Sequence, residues 1–283
     1  MSAPLLLGIM QGRLVPPETD FVQTFPRARW REEFPRAEAA GLCAIEWIYD
    51  SYGEDANPLA SDEGVAEMAA LARRYGVSVR SLCADWLMEH PLVTADADGR
   101  AAWVERLHWL VARASLAGMG RIVLPFVDAA AIRDERDELA VVDALLTVLP
   151  AAEAARVELH LETALGPEAF AALLARLPHP LVRANYDTGN SAALGYAPRE
   201  EFAAYGDRVG SVHVKDRRRG GGTVPLGTGD ADLVAVGECL REVGYRGDVV
   251  LQVARGAPEG EVAWAAHNRT TVERLWREVP AWS

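Results

Sequence analysis

Only three cysteines occur among the 283 residues, Cys43, Cys83 and Cys239, and no two of them form a CxxC pair. That spacing argues against a disulfide framework or a thiolate metal site, and it points to a reducing, cytoplasmic setting. Basic charge is also scarce. The 29 Lys+Arg stand against 41 Asp+Glu, a formal net charge of -12, which would repel a phosphodiester backbone outside a local basic patch. Nucleic acid is therefore not expected as a partner. No apolar run is long enough to span a bilayer, so no membrane role is expected either. The opening MSAPLLLGIMQGRL has no basic residues before its apolar stretch and no small-residue cleavage site after it, and it reads as a first strand. The GxGxxG and GxxxxGK signatures of nucleotide-binding open sheets are missing. So is any Ser/Gly linker or low-complexity tract, which leaves one domain over residues 1–283 as the simplest organisation.

What the chain does have is apolar residues in two alternating patterns. Half of the composition is hydrophobic, and the length suits an α/β barrel, which typically uses about 250 residues as one domain. Short apolar segments predict strands near Leu5–Ile9, Ala44–Ile48, Ser78–Cys83, Arg121–Leu124, Val157–Glu162, Leu181–Tyr186, Val209–Val214 and Val249–Val253. Between them, AEMAALARRYG, AAWVERLHWLVARASLAG, LAVVDALLTVLPAAEAA, PEAFAALLARL and DLVAVGECLREVG carry apolar residues at helical spacing. Gly41, Gly76, Gly118 and Gly244 stand where helix C-caps belong. Strands alternating with such helices pair in parallel through right-handed crossovers, and eight of them close a barrel. The expected fold is a single (β/α)8 barrel of the TIM type.

Four of the predicted strands in the C-terminal half end in potential metal ligands: Glu162 in VELHLET, Asp187 in VRANYDTGN, His213 in GSVHVKD and Gln252 in DVVLQVAR. Groups that terminate successive strands of such a barrel converge on one rim, where its active sites are built. Two carboxylates, an imidazole and an amide form an oxygen-rich set that suits one divalent ion, Mn²⁺, Mg²⁺ or Co²⁺, with zinc ranked below them.

Taken in order, GIMQGRL, AIEWIYD, HLET, NYDTGNS, HVKDR with VPLGTGDAD, and LQVAR resemble the xylose isomerase-like barrels of the sugar phosphate isomerase/epimerase group along nearly the whole chain. The resemblance implies a metal-dependent isomerase or epimerase of a small ketose, sugar phosphate or cyclitol, working through a metal-stabilised enediolate. It implies metal ligands at Glu162, Asp187, His213 and the eighth-strand position, where the family usually has Glu and this chain has Gln252. An amide oxygen can ligate a hard cation but accepts no proton near neutral pH, so a reaction needing two glutamate bases is put in question. Glu162 is then the expected base. Glu168, Glu46, Asp85 and Lys215 are unranked candidates for a second acid or base. A dehydratase or other lyase on a related polyol and a sugar-binding barrel with weakened catalysis are the alternatives. A barrel nuclease would need further His and Glu ligands that the strand ends lack.

Substrate contacts are expected from Gln11, Arg13, Glu46 and Trp47 at the first two strands, the last as a stacking surface for a sugar ring. Asn190 has two readings, a hydrogen bond to a sugar or satisfaction of its own turn. After the seventh strand, Lys215, Asp216, Arg217, Arg218, Arg219 and the glycines 220–222 suggest a phosphate-binding loop, with a substrate role favoured for Lys215 and left open for the arginines, or a solvated lid with Asp230 as a helix N-cap. Glu168 and Arg255 complete the expected contacts. The partner is a small molecule, and a homo-oligomer is left open.

Overall fold

In the computed structural model, described over residues 6–256 and 260–277, eight parallel strands close into a barrel. They are β1 (Leu7–Met10), β2 (Ala44–Ile48), β3 (Ser78–Cys83), β4 (Arg121–Phe126), β5 (Glu158–Thr163), β6 (Val182–Asp187), β7 (Val209–Val214) and β8 (Val249–Leu251). β1 pairs with β8 to close the ring. Residue 5, placed by the sequence in the first strand, lies outside the described residues, as do the ends of the expected domain.

Among the described residues ten α-helices accompany the strands: α1 (Glu33–Ala39), α2 (Asp62–Tyr75), α3 (Asp85–Glu89), α4 (Ala97–Leu116), α5 (Glu135–Ala155), α6 (Pro167–Arg176), α7 (Thr188–Leu194), α8 (Pro198–Tyr205), α9 (Leu233–Glu242) and α10 (Glu261–Arg277). The four glycines expected to stop helices all have positive φ, between +64° and +76°, the left-handed conformation that glycine adopts without Cβ strain. α5 ends instead on Arg156 at φ 56°. No helix among the described residues is long and apolar enough to cross a membrane.

Side-chain alternation along the strands sorts the residues into two layers. Val212 and Val214 of β7, Leu159 and Leu161 of β5, and Ile45 and Trp47 of β2 belong to the hydrophobic core. The opposite parity places polar groups inside the barrel: Glu46, His160, Asn185, Ser211 and His213 are all buried. Such groups are tolerated in the interior only when they are hydrogen-bonded to one another. His160 Nδ1 meets Ser211 Oγ at 2.7 Å, Ser211 donates to Asn185 Oδ1 at 2.6 Å, and Asn185 Nδ2 donates to Glu162 Oε2 at 2.9 Å. This polar column rises to the C-terminal rim and ends in the candidate site.

Candidate active site

Register builds the core of the site. Asp187 and His213 are direct partners across β6 and β7, and Glu162 projects from the end of β5. One ligand atom from each of Glu162, Asp187 and His213 lies within 4.8 Å of the others, all on buried side chains. His213 Nδ1 is 3.2 Å from Glu162 Oε2 and 4.0 Å from Asp187 Oδ2. Its Nε2 is held from behind by Glu46 Oε1 at 2.6 Å. Burial pulls the His213 imidazole down, but Glu46 and Glu162 outweigh it and hold the group up at about 10. Burial likewise opposes the charge on Glu46, and His213 brings that carboxyl below its ordinary value.

Asp187 divides its two oxygens between two tasks. Oδ1 accepts from the backbone N–H groups of Gly189 and Asn190 and so caps α7. Oδ2 is buried without a hydrogen bond and faces Lys215 Nζ at 2.8 Å. A buried carboxylate oxygen left unbonded is costly unless a cation answers it. Together with Glu162 and His213 it presents donors of the type a divalent ion takes, so the residues fit the metal that the sequence implies. Lys215 Nζ also donates to Gln252 Oε1 at 2.9 Å. The amide oxygen of the fourth strand end therefore faces the same ammonium as Asp187.

Above the cluster opens a cavity of about 440 Å³. Glu162, Asn190, Lys215 and Gln252 line it, with Arg13, Gln23, Asp85, Asp128 and Arg217 around them. Asn190 donates to Glu162 Oε1 at 2.6 Å and accepts from Arg217 Nη1 at 2.8 Å, so it positions the carboxylate beyond serving its own turn. Arg13 is 6 % exposed; it donates to Val253 O, Val22 O and Gln23 Oε1 and so fastens the loop after β1 over the cavity.

Six expected substrate contacts fall elsewhere, for identifiable reasons. Trp47 has the outward parity of β2, packs against Phe25, Trp30 and Phe34 with ring centroids 5.7–6.2 Å apart, and donates its indole N–H to Asn57; it cannot stack on a ligand. Glu46 points inward, but it is sealed beneath His213. Gln11 is fully buried and accepts from Ile48 N at 2.9 Å. Glu168 is exposed in the first turn of α6. Arg219 has its backbone N–H held by Asp230 and its guanidinium against Gly195, away from the cavity. Arg255 donates to Val15 O outside the cavity lining.

The loop after β7 is a short antiparallel ribbon, Asp216–Arg217 against Thr223–Val224. Fully buried Asp216 accepts from the N–H groups of Gly227, Gly229 and Ala231, and this turns Arg217 toward the cavity in place of Arg219. The N-cap of α9 is Asp232, not Asp230. Gln23 and Asn185 are site residues that sequence reasoning did not single out as contacts, whereas Arg217 belonged to the basic loop left open for substrate binding. Gln23 and Asn185 carried no signal, because one lies in a loop and the other inside a strand.

A closed parallel barrel with an acid–acid–imidazole cluster at its C-terminal rim has its polar groups where such barrels build their active sites. The model of the family described as xylose isomerase-like TIM barrel matches residues 34–275, and the chain belongs to that family. Among solved structures, the chain is similar to L-ribulose 3-epimerase (TM-score 0.73, 19% identity, 98% of this chain and 96% of that one). It is also similar to the IolI protein with a bound zinc atom (TM-score 0.75, 17% identity, 97% and 99%). A third is D-allulose 3-epimerase from Methylomonas sp. in complex with D-allulose (TM-score 0.73, 17% identity, 97% and 100%). No curated protein matches the sequence.

Proposed function

We propose that this chain is a divalent-metal-dependent isomerase or epimerase of a small ketose, sugar phosphate or cyclitol. The observation that carries the reading is the convergence of Glu162, Asp187 and His213 within 4.8 Å, beside a cavity of about 440 Å³, with Asp187 Oδ2 answered at short range by the Lys215 ammonium alone. The family membership and the sugar epimerases among its structural relatives support the same substrate class.

Glu162, Asp187 and His213 hold the ion in this reading, with the amide oxygen of Gln252 as a neutral fourth ligand. Mn²⁺, Mg²⁺ or Co²⁺ suits this oxygen-rich set, and the zinc-bound relative makes zinc a necessary comparison. When bound, the ion supplies stabilisation of the negative charge that develops on the substrate's carbonyl and hydroxyl oxygens. The protein supplies the rest. Glu162, oriented by Asn185 and Asn190, takes the proton from the carbon next to the carbonyl. Glu46 fixes the His213 ring so that Nδ1 faces the cluster, as carboxylates behind metal-ligating imidazoles do. Lys215, Arg13 and Arg217 give the cavity a cationic wall for hydroxyls or a phosphate. The free cysteines among the described residues support the reducing, cytoplasmic setting.

Elemental analysis of protein purified without chelator and solvent deuterium wash-in test the proposal together. We expect one divalent ion per chain and exchange at the carbon next to the carbonyl of L-ribulose, D-allulose or D-tagatose in the ion-loaded protein. Metal-free protein that stays so in excess Mn²⁺, or a loaded protein that exchanges none of these protons, would overturn it.

A further inference from the structure

If Glu162 removes a proton from one face of a carbon, inversion requires a second group to return a proton to the other face, and Gln252 cannot serve. The structure separates the four sequence-level candidates for that role. Glu168 is exposed on α6, and Glu46 is sealed behind His213. Lys215 is engaged between Asp187 and Gln252. Asp85, which follows β3 and opens α3, is 5 % exposed and lines the cavity that Glu162 also lines.

A directed hydrogen-bond chain ties Asp85 to the residue that departs from the family. Lys215 Nζ donates to Gln252 Oε1 at 2.9 Å, Gln252 Nε2 donates to Gln23 Oε1 at 3.0 Å, and Gln23 Nε2 donates to Asp85 Oδ2 at 2.8 Å. Each amide accepts at one end and donates at the other; Lys215 orients Gln252, and Gln252 together with Arg13, which also donates to Gln23 Oε1, orients Gln23. A glutamate at 252 would set two acceptor oxygens against each other at Gln23 Oε1 and turn that amide around. The chain runs along the strand order from β7 through β8 and the loop after β1 to β3, the side of the ring that excludes β5. Only β4 stands between β3 and β5 in the ring, so Asp85 and Glu162 line the same cavity from strands two places apart.

We propose that Asp85 is the second proton-transfer residue of this site, held in place by Gln252 through Gln23, and that the chain is on this account an epimerase. The proposal rests on the enediolate reading given above. In the forward step Glu162 takes the proton from the carbon next to the carbonyl, and the C–H electron pair enters the enediolate. The Asp85 carboxylic acid then gives its proton to the opposite face of the same carbon, forming the new C–H bond. Asp85 is left as carboxylate and Glu162 as carboxylic acid, and both exchange with water in the cavity before the next turnover.

The surroundings of Asp85 suit that task. Burial raises its carboxyl to about 7, with the charges of Asp50 and Glu89 in the same direction and the hydrogen bonds from Gln23 and Cys83 opposing. Arg13 is the cation that faces it. An acid that is partly protonated near neutral pH can serve in either direction of a reversible inversion.

The experiment separates exchange from inversion. Mn²⁺-loaded wild type, Asp85→Asn, Glu162→Gln and the double variant Asp85→Asn/Gln252→Glu are given L-ribulose, D-allulose and D-tagatose in D₂O. Wash-in and epimer formation at C3 are both followed by NMR. For Asp85→Asn we expect continued deuterium wash-in to the starting ketose, with epimer formation reduced roughly 100-fold or more. The double variant, with a carboxylate restored at 252, is expected to regain inversion. That rescue is not available to a residue with a merely structural role. Epimer formation in Asp85→Asn within threefold of wild type overturns the proposal, as does its joint loss with wash-in from a folded, metal-loaded protein. Absence of wash-in by wild type on all three ketoses is a different signature and withdraws the enediolate reading, with this inference along with it. pH-difference infrared spectra give a substrate-free check: beside the Glu33 band near 8, a carboxyl band titrating near 7 is expected in wild type and not in Asp85→Asn. Its absence from wild type overturns the proposal.

Discussion

At the scale of the residue, the site turns on carboxylates whose roles are set by what lies behind them. Glu162 receives two amide N–H donors and faces His213, whereas Glu46 takes the back of the same imidazole. Glu162→Gln keeps a ligand oxygen and removes the proton acceptor. It should hold much of the metal and lose deuterium exchange by roughly 10²–10⁴, read after metal content is matched. Glu46→Gln leaves the cavity untouched but deprives His213 of its charged support. Mn²⁺ affinity measured by calorimetry should fall by about 10–100-fold, the usual cost of losing such an outer partner. Unchanged affinity would show that the ring is oriented by packing alone. Glu162, Asp187 and His213 were legible in the sequence because each ends a strand. Trp47 was misread because a strand-end position does not reveal which face its side chain takes, and on β2 the inward parity belongs to Glu46.

At the scale of the element, the sequence placed both ends of β2, β3 and β7 correctly, and it missed others by a residue or two. β4 runs on through Pro125 to Phe126, where its ladder with β5 continues opposite Glu162 and Thr163. β8 stops at Leu251 rather than Val253, and the Val253 carbonyl is taken by Arg13 Nε instead. The helices α1, α3, α7, α8 and α10 went unread as segments, although Gly41 was expected as the stop of the first. α7 is seven residues of TGNSAAL capped by Asp187, too short for a period to show. The ribbon after β7 depends on Asp216, which gathers three backbone N–H groups while fully buried. Asp216→Ala should cost about 2–4 kcal/mol, since it orphans several buried donors at once. Denaturant titration gives the loss, and a raised KM with little change in kcat would show that Arg217 has lost its position for binding.

At the scale of the whole molecule, buried carboxyls outside the Glu162–Asp187–His213 cluster link folding to pH, Glu33 and Asp85 most strongly. Glu33 accepts from the N–H groups of Gly12 and Leu14, yet burial raises it to about 8; burial also raises Asp85, to about 7. A carboxyl raised on folding contributes stability that is complete below its unfolded value, near 4, and is lost as pH climbs through the folded one. Stability should therefore decline between about pH 4 and pH 8, and Glu33→Gln should flatten much of that slope in urea titrations at stepped pH. A wild-type curve already flat over this range would show that both groups ionise freely in the folded chain. The sequence by itself determined the barrel, the family and the three convergent side chains Glu162, Asp187 and His213, because strand period, helix caps and strand-end chemistry are local patterns that need no partner to be read. Only the tertiary structure decided that Glu46 backs His213, that Arg217 rather than Arg219 meets the cavity, and that Gln252 reaches Asp85 through Gln23. Each of those pairings joins residues far apart in the chain, and they meet only because barrel closure and strand parity set which side chains share one interior.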